Sequence, residues 1–391
     1  MTDYNVLLEL LRENGMDKKW AQMFVKKLAD DEKVFTADEE TKRWALSRGF
    51  FPGRVELYGL TEENYKDYMP DYNYFMIHPI NHHFKIWVND KLSLKYVLNS
   101  NGCEDTMPEY YLYVENNGNY TYLMDAPANI AKDKDFVFNL LKQKGTLALK
   151  PNSGTFGGGV GFVKLEYKDG KLYGNNIQIE KEEFDKIVSQ LKNHIVTEYA
   201  YQHEELAKIW PLSECTLRVI MVKLPYQNPY QPSGWKCVIS FARFGASISG
   251  GASNLSMGGI GIGFDFETGQ FCDSGLRYKQ FCEDGNWTCT EHPDTHVTWK
   301  DTKLPNWEFV RDKIYHVCEH IHSLDYLGLD IIITPEGLKF CEINTHPAAD
   351  YAQVMCGPVL ADKGASAFYE SHGLRRVDTE KFYELYKKSQ I

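Results

Sequence analysis

The chain has 391 residues, 43% of them hydrophobic and 25% charged, the composition of a folded protein too long for one small core. Its formal net charge is −11 and no dense Lys/Arg run occurs, which argues against a nucleic-acid partner, since a duplex needs a basic face. Nine cysteines without a CxxC pair argue against a disulfide framework or a zinc site.

The elements follow in chain order. The opening MTDYNVLLELLRENG carries acids and no long apolar run. With no stretch of about 18 uncharged apolar residues anywhere, neither a signal peptide nor a membrane span is expected, and the expected location is the cytoplasm. Residues 3–30 and 38–48 have helical spacing, through Leu7, Leu8 and Leu11, then Trp20, Met23, Phe24 and Leu28. Residues 50–80 are rich in Tyr, Pro and Asn and lack a period. LSLKYVLNSNG predicts a helix, YYLYVE-NNGN-YTYLM a hairpin, and DKDFVFNLLKQKG a helix ending at Gly145. After the glycine-rich stretch 146–163, EEFDKIVSQLKNH predicts a helix and HIVTEYAYQ a strand running into a connector. The second half is β-rich: TLRVIMVKL, WKCVISFARFG, GGIGIGFDF and GQFCDSG read as strands, WEFVRDKIYHVCEHIHSL as an amphipathic helix, and the stretch after Gly357 as helical.

Two segments carry chemistry. In TLALKPNSGTFGGGVGFV, glycines without Cβ let backbone N–H groups approach a phosphate, and Lys150 sits where the entering strand ends. The loop leaves into a strand rather than a helix, which argues against a P-loop and a Rossmann turn. A strand–loop–strand lid is left, and the chain lacks the HRD and DFG motifs of a protein kinase. The competing reading is a surface hairpin without a ligand.

The second segment is YLGLDIIITPEGLKFCEINTHP (326–347). A three-residue loop Pro335–Gly337 would pair Thr334 with Leu338, and so Asp330 with Glu342. Asn344, two residues after Glu342, falls on the same face, while Ile331 and Ile333 face a core. Two carboxylates and an amide oxygen suit Mg²⁺, which takes one or two carboxylates together with substrate phosphates. The competing reading is a solvated acidic pair at a sheet edge.

A lysine after a strand, a glycine-rich hairpin loop, a strand ending in an acid and a late D…ExN hairpin together resemble the ATP-grasp enzymes over most of residues 86–350. ECTLRV (214–219), EHPDTHV (291–297) and LPNW (304–307) resemble the sugar-transfer-associated ATP-grasp proteins of bacterial capsule and surface-polysaccharide loci. The resemblance implies an α+β ATP-grasp fold with ATP held between two lobes: a helical N-terminal region over 1–85, a small lobe with the lid over 86–199, and a large lobe over 200–391.

It also implies roles. Lys91, with Lys95 as the alternative, and Lys150 would meet the phosphates under a lid of Gly157, Gly158 and Gly159. Glu198 would reach the adenine amino group and Ala200 would lie in the connector that reads the adenine edge. Glu205, with Glu204 as the alternative, would grip the ribose. Asp330, Glu342 and Asn344 would hold Mg²⁺, with two ions expected. Better-known ligases often carry an arginine where this chain has Gly328, so Arg218 or Arg243 is the candidate to neutralise the transferred phosphate. Asn254, Ser256, Gly258 and Gly259 in GASISGGASNLSMGGIGIGF, with His292 and His346, are the candidate substrate residues; turn and capping roles compete for them.

The implied reaction is an ATP-dependent ligation of a carboxylate to an amine through an acyl phosphate. The implied partners are a sugar acid such as a uronate and a small amine, with association with a glycosyltransferase as a further expectation. Two alternatives stand beside it: a small-molecule kinase on the same fold, and a non-catalytic ATP-binding partner of a glycosyltransferase.

Overall fold

The alternation of TLALKP and VKLEYK produces two strands whose apolar side chains Leu147, Leu149, Val163 and Leu165 are all buried. The computed structural model describes residues 2–81, 83–153, 161–225, 234–250, 252–282, 285–349 and 352–390. The chain divides into two units, and these strands belong to the smaller, His83–Glu204 with Asp330–Asn344. The larger comprises Met1–His82, Glu205–Leu329 and Thr345–Ile391.

The smaller unit holds β1 (Tyr110–Val114), β2 (Tyr120–Tyr122), β3 (Thr146–Pro151), β4 (Val163–Lys168), β5 (Lys171–Gly174), β6 (Ile177–Ile179) and β7 (His194–Glu198). They form one antiparallel sheet in the order β2-β1-β7-β3-β4-β5-β6. The helices Phe136–Lys144 and Lys181–Ser189 supply Phe136, Leu140, Leu141, Phe184 and Val188 to a core shared with Leu147, Leu149, Leu165 and Val196. Each such buried side chain contributes about 1.5–3 kcal/mol. Gly145 ends the first helix at φ 78°, with its N–H on the Leu141 carbonyl. β3 and β4 pair with Leu149 opposite Val163, so the glycine-rich segment is a connection between antiparallel neighbours, as the sequence predicts. Gly157, Gly158 and Gly159 lie outside the described residues.

In the larger unit, β8 (Thr216–Lys223), β9 (Trp235–Phe244), β10 (Ile260–Phe264), β11 (Phe271–Leu276) and β12 (Thr288–Cys289) are ordered β12-β11-β10-β9-β8 and pair antiparallel. β13 (Tyr326–Thr334) begins in this unit, where Lys223 N–H bonds the Asp325 carbonyl just before it. Its last five residues and β14 (Gly337–Asn344) belong to the smaller unit.

Two placements differ from the lobes expected from sequence. The N-terminal helices do not stand apart: Leu7, Leu11, Trp20 and Phe24 share one core with Ile220, Val222, Ile239 and Phe241 of β8 and β9 and with Phe368 and Phe382 near the C-terminus. An amphipathic helix needs an apolar partner, and here the partners lie hundreds of residues away in sequence. Residues 330–344, expected in the large lobe, group with the smaller unit. Among the described residues no helix is long and apolar enough to cross a membrane.

Candidate nucleotide and metal site

The hairpin of β13 and β14 carries the acids. Asp330 lies in a strand buried at every position and is itself 5% exposed, while Glu342 and Asn344 are half-buried. Only Pro335 and Glu336 separate the strands; Gly337, expected in the loop, already belongs to β14 at φ 151°, an angle it tolerates because it lacks a Cβ. The Asn344 amide lies near both acids. Asn344 Nδ2 donates to Glu342 Oε1 at 3.1 Å and to Asp330 Oδ2 at 3.4 Å. Ile331 and Ile333 are fully buried, as expected.

Among the described residues no three His, Cys, Asp or Glu side chains group into a metal site. The set here is two carboxylates and an amide, a donor chemistry that fits Mg²⁺. The amide hydrogens of Asn344 lie between two acids and do weakly what a cation would do strongly. Rotation of the amide about its last torsion exchanges its N–H groups for its oxygen.

The lysines separate by their partners. Lys91 is 9% exposed, with Nζ 3.4 Å from Glu342 Oε2. Lys95, one turn later, gives its ammonium to the Pro108 carbonyl at 2.9 Å and to Asp125 Oδ2 at 3.1 Å. Lys91 therefore joins the carboxylate cluster, and Lys95 holds the Asp125 segment. Lys150 is half-buried near the end of β3. Burial holds its pKa below the usual lysine range and the nearby Lys91 adds to this, while Cys341, Glu342 and Glu198 pull the other way. Lys150 thus lies in the field of both Lys91 and Glu342.

Asn152 is a residue the sequence reading missed. Its carbonyl accepts from Lys91 N–H at 3.0 Å, its Oδ1 from Leu92 N–H at 2.9 Å, and its Nδ2 donates to Asp90 Oδ2 at 2.6 Å. Asp90 in turn caps the helix Lys91–Leu98 through Ser93 N–H at 2.8 Å. The two side chains fasten the Lys91 helix to the strand bearing Lys150. The signal was available: an Asp directly before a helix, and an Asn directly after the Lys-Pro pair.

Glu198 ends β7, as expected, and its Oε2 accepts from Glu109 N–H at 3.0 Å. Ala200 follows in an irregular connector, which the His203 N–H fastens to the Ile333 carbonyl of β13 at 2.7 Å. Lys164 lies over the rings of Tyr199, at 4.7 Å, and Tyr201, at 5.4 Å, flanking Ala200. Glu204 opens the short helix Glu204–Ala207, and Glu205 pairs with Lys208 at 2.6 Å.

The remaining candidates are in the larger unit. Arg218 stands on β8 opposite Phe241 of β9, and Arg243 on β9 opposite Thr216 of β8. Arg243 is 8% exposed, and its Nε donates to Thr216 Oγ1 at 3.0 Å. Asn254 precedes and Ser256 lies within the 3-10 turn Leu255–Met257, which Gly258 closes at φ 103°. A Cβ on Gly259 would lie 2.8 Å from the Phe244 carbonyl oxygen and 3.0 Å from those of Ser253 and Asn254, so close approach of backbone requires glycine there.

His292 is fully buried and stacks on Trp210 at 4.9 Å. Its Nε2 meets the Gly245 carbonyl at 2.8 Å, and its Nδ1 accepts from Asp294 N–H at 3.2 Å. Asp294 Oδ2 accepts from Ser247 N–H at 2.9 Å. Of the two readings of EHPDTHV, these bonds support the turn role: the turn holds the start of the 245–259 loop. His346 packs edge-on against Trp20 at 5.0 Å, among the N-terminal helices.

No curated protein matches the chain. Among solved structures it is similar to the ATP-grasp ligase PsnB complexed with a phosphomimetic precursor variant, Mg and ADP (11% identity, 75% of this chain and 62% of that one, TM-score 0.36). It is similar to N5-carboxyaminoimidazole ribonucleotide synthetase from Thermotoga maritima (13% identity, 66% and 42%, TM-score 0.32). A third is D-alanine–D-alanine ligase from Bacillus anthracis (15% identity, 78% and 70%, TM-score 0.36). The chain thus spans 62% and 42% of the length of the first two. Residues 69–367 match the family described as sugar-transfer associated ATP-grasp, beginning earlier and ending later than the sequence resemblance over 86–350. With that match across most of its length, the chain has the α+β ATP-grasp fold and belongs to the sugar-transfer associated ATP-grasp family.

Proposed function

We propose that the protein is an ATP-dependent carboxylate–amine ligase, acting in the cytoplasm on a sugar acid such as a uronate and a small amine in capsular or surface-polysaccharide biosynthesis. The observation that carries this reading is the cluster in the smaller unit: Asp330, Glu342 and Asn344 joined by the Asn344 amide, with Lys91 3.4 Å from Glu342 and Lys150 in the same field.

In this reading Asp330, Glu342 and Asn344 hold Mg²⁺, two ions in all, which supply charge neutralisation for phosphoryl transfer. Lys91 and Lys150 bind the phosphates of ATP. Glu198 and the Ala200 backbone receive the adenine, and Glu205 the ribose. Arg218 or Arg243 neutralises the γ-phosphate as the carboxylate attacks it and ADP leaves. The glycine lid excludes water from the acyl phosphate, which the amine then attacks, releasing phosphate. Asn254, Ser256, Gly258 and Gly259 position the acceptor side. Association with a glycosyltransferase would place the product at its point of use.

The test is ADP and phosphate release with Mg-ATP across a grid of sugar acids and small amines, with products weighed. ADP and phosphate that need both an acid and an amine, with a product one water lighter than their sum, support the ligase. ADP formed with a single hydroxyl compound that gains a phosphoryl group overturns it in favour of a kinase. ATP binding without ADP release in any pairing overturns it in favour of a non-catalytic partner.

The two lysines give a sharper expectation. Lys91→Met should weaken ATP binding by about tenfold, the scale of one lost charge-assisted contact. Lys95→Met should leave ATP affinity near wild type and lower unfolding stability by about 2–3 kcal/mol, because Asp125 loses its ammonium. Calorimetric titration and urea unfolding of both variants check this; the reverse pattern would make Lys95 the nucleotide lysine.

A further inference from the structure

The side chain of Asn81 is 5% exposed and uses every hydrogen-bonding position an amide has. Its Oδ1 accepts from the N–H groups of Asp325 at 2.9 Å and Tyr326 at 3.2 Å. Its Nδ2 donates to the Tyr326 carbonyl and, at 3.1 Å, to the Thr345 carbonyl. Tyr326 opens β13 four residues before Asp330, and Thr345 directly follows Asn344 at the end of β14. One buried amide therefore bonds both ends of the chain segment that carries the candidate metal ligands.

The two residues after Thr345 are held by the same N-terminal region. The His346 ring meets Trp20 at 5.0 Å and His78 at 6.2 Å. The Pro347 carbonyl accepts from the hydroxyls of Tyr74 at 2.8 Å and Tyr326 at 3.0 Å. Residues 20–81 contain none of the expected ligand residues, yet they fix three consecutive positions beyond Asn344.

We propose that Asn81 is a positioning residue for the metal-binding hairpin. Its amide sets the separation of Tyr326 and Thr345 and, through the two strand backbones, the separation of Asp330 from Asn344. Extended strands are stiff along their length, so a shift at their anchored ends carries into the ligand positions. A misplacement of about 1 Å is enough to cost a site much of its function. The proposal rests on the reading of Asp330, Glu342 and Asn344 as metal ligands.

The test is Mn²⁺ binding in the presence of ADP, followed by the electron paramagnetic resonance signal of the free ion. Wild type is compared with Glu342→Gln, Asn81→Leu and Tyr74→Phe, with metal-free ADP binding and thermal melting measured alongside. Asn81→Leu is expected to weaken Mn²⁺ binding by about tenfold or more, the scale for groups that orient metal ligands. Tyr74→Phe is expected to weaken it about two- to threefold, since Pro347 keeps its bond from Tyr326. Metal-free ADP binding should change by less than about twofold in both. A folded Asn81→Leu protein with wild-type Mn²⁺ affinity overturns the proposal, whatever its melting temperature. If Asn81→Leu does not fold, Tyr74→Phe decides, and unchanged Mn²⁺ affinity there overturns it. If Glu342→Gln binds Mn²⁺ as wild type does, the metal-site reading fails first and the proposal falls with it.

Discussion

Glu342→Gln should lower the rate of ADP release at saturating Mg-ATP by about a hundredfold to a thousandfold, the loss seen when one preorganised electrostatic group is removed from a site. Glutamine has the shape of glutamate and keeps an oxygen for the Asn344 amide, now 3.1 Å from Oε1. What it removes is the charge. That charge sits 3.4 Å from Lys91 Nζ and beside buried Asp330, so it faces both a cation of the protein and the place proposed for a metal. Because Glu342 is half-buried, the substitution should move the melting temperature by only a few degrees. Glu336→Gln, an exposed change in the turn of the same hairpin, is the control and should leave the rate near wild type. A coupled assay of ADP formation over a Mg²⁺ titration measures both. If Glu342→Gln keeps more than about a third of the wild-type rate, Glu342 does not hold a catalytic metal.

The hairpin was legible because short-range rules determine it. Pro335 starts a turn, alternation orients the side chains, and the spacing of Glu342 and Asn344 puts both on one face. The β3–β4 hairpin around the glycines was legible for the same reason. The hairpin of β5 and β6 was missed although its signal is local: Asn175 and Asn176 take φ 49° and 67°, the two left-handed residues of a tight hairpin turn. Lys91 and Lys95 could not be ranked from sequence, because they lie four apart on one helix and differ in which acid each meets, Glu342 or Asp125. Asn81 carried no signal at all. Its partners are 244 to 264 residues away, and a lone Asn in a segment without periodicity looks like a loop residue. The helical spacing of the first 48 residues showed that a face is buried, not that β8, β9 and the C-terminal helices bury it.

The unit that bears Asn81 also holds a buried ion cluster, and Arg54→Met should destabilise the protein by about 3–5 kcal/mol near pH 8. Arg54, Asp31 and Asp71 are 3%, 6% and 5% exposed, so bulk water solvates none of them. Arg54 Nη2 meets Asp71 Oδ1 at 3.0 Å and Nη1 meets Asp31 Oδ1 at 3.5 Å. The carboxylates also accept backbone bonds, Asp71 from Phe51 N–H at 3.0 Å and Asp31 from Gly53 N–H at 2.8 Å. Methionine fills the volume but leaves two buried acids without their cation. Burial pushes the Asp31 carboxyl up to about 6, with Arg54 pulling it back. A carboxyl raised on folding favours the native state at low pH and loses that contribution as pH rises through its folded value. Without Arg54 the carboxyl rises further, so the native variant takes up a proton that the unfolded chain does not bind until lower pH. The deficit of Arg54→Met against wild type should therefore be smaller at pH 5 than at pH 8. Urea unfolding of both proteins at the two pH values measures it. An equal deficit at both, or one below about 1 kcal/mol at pH 8, would mean that packing rather than charge holds this cluster.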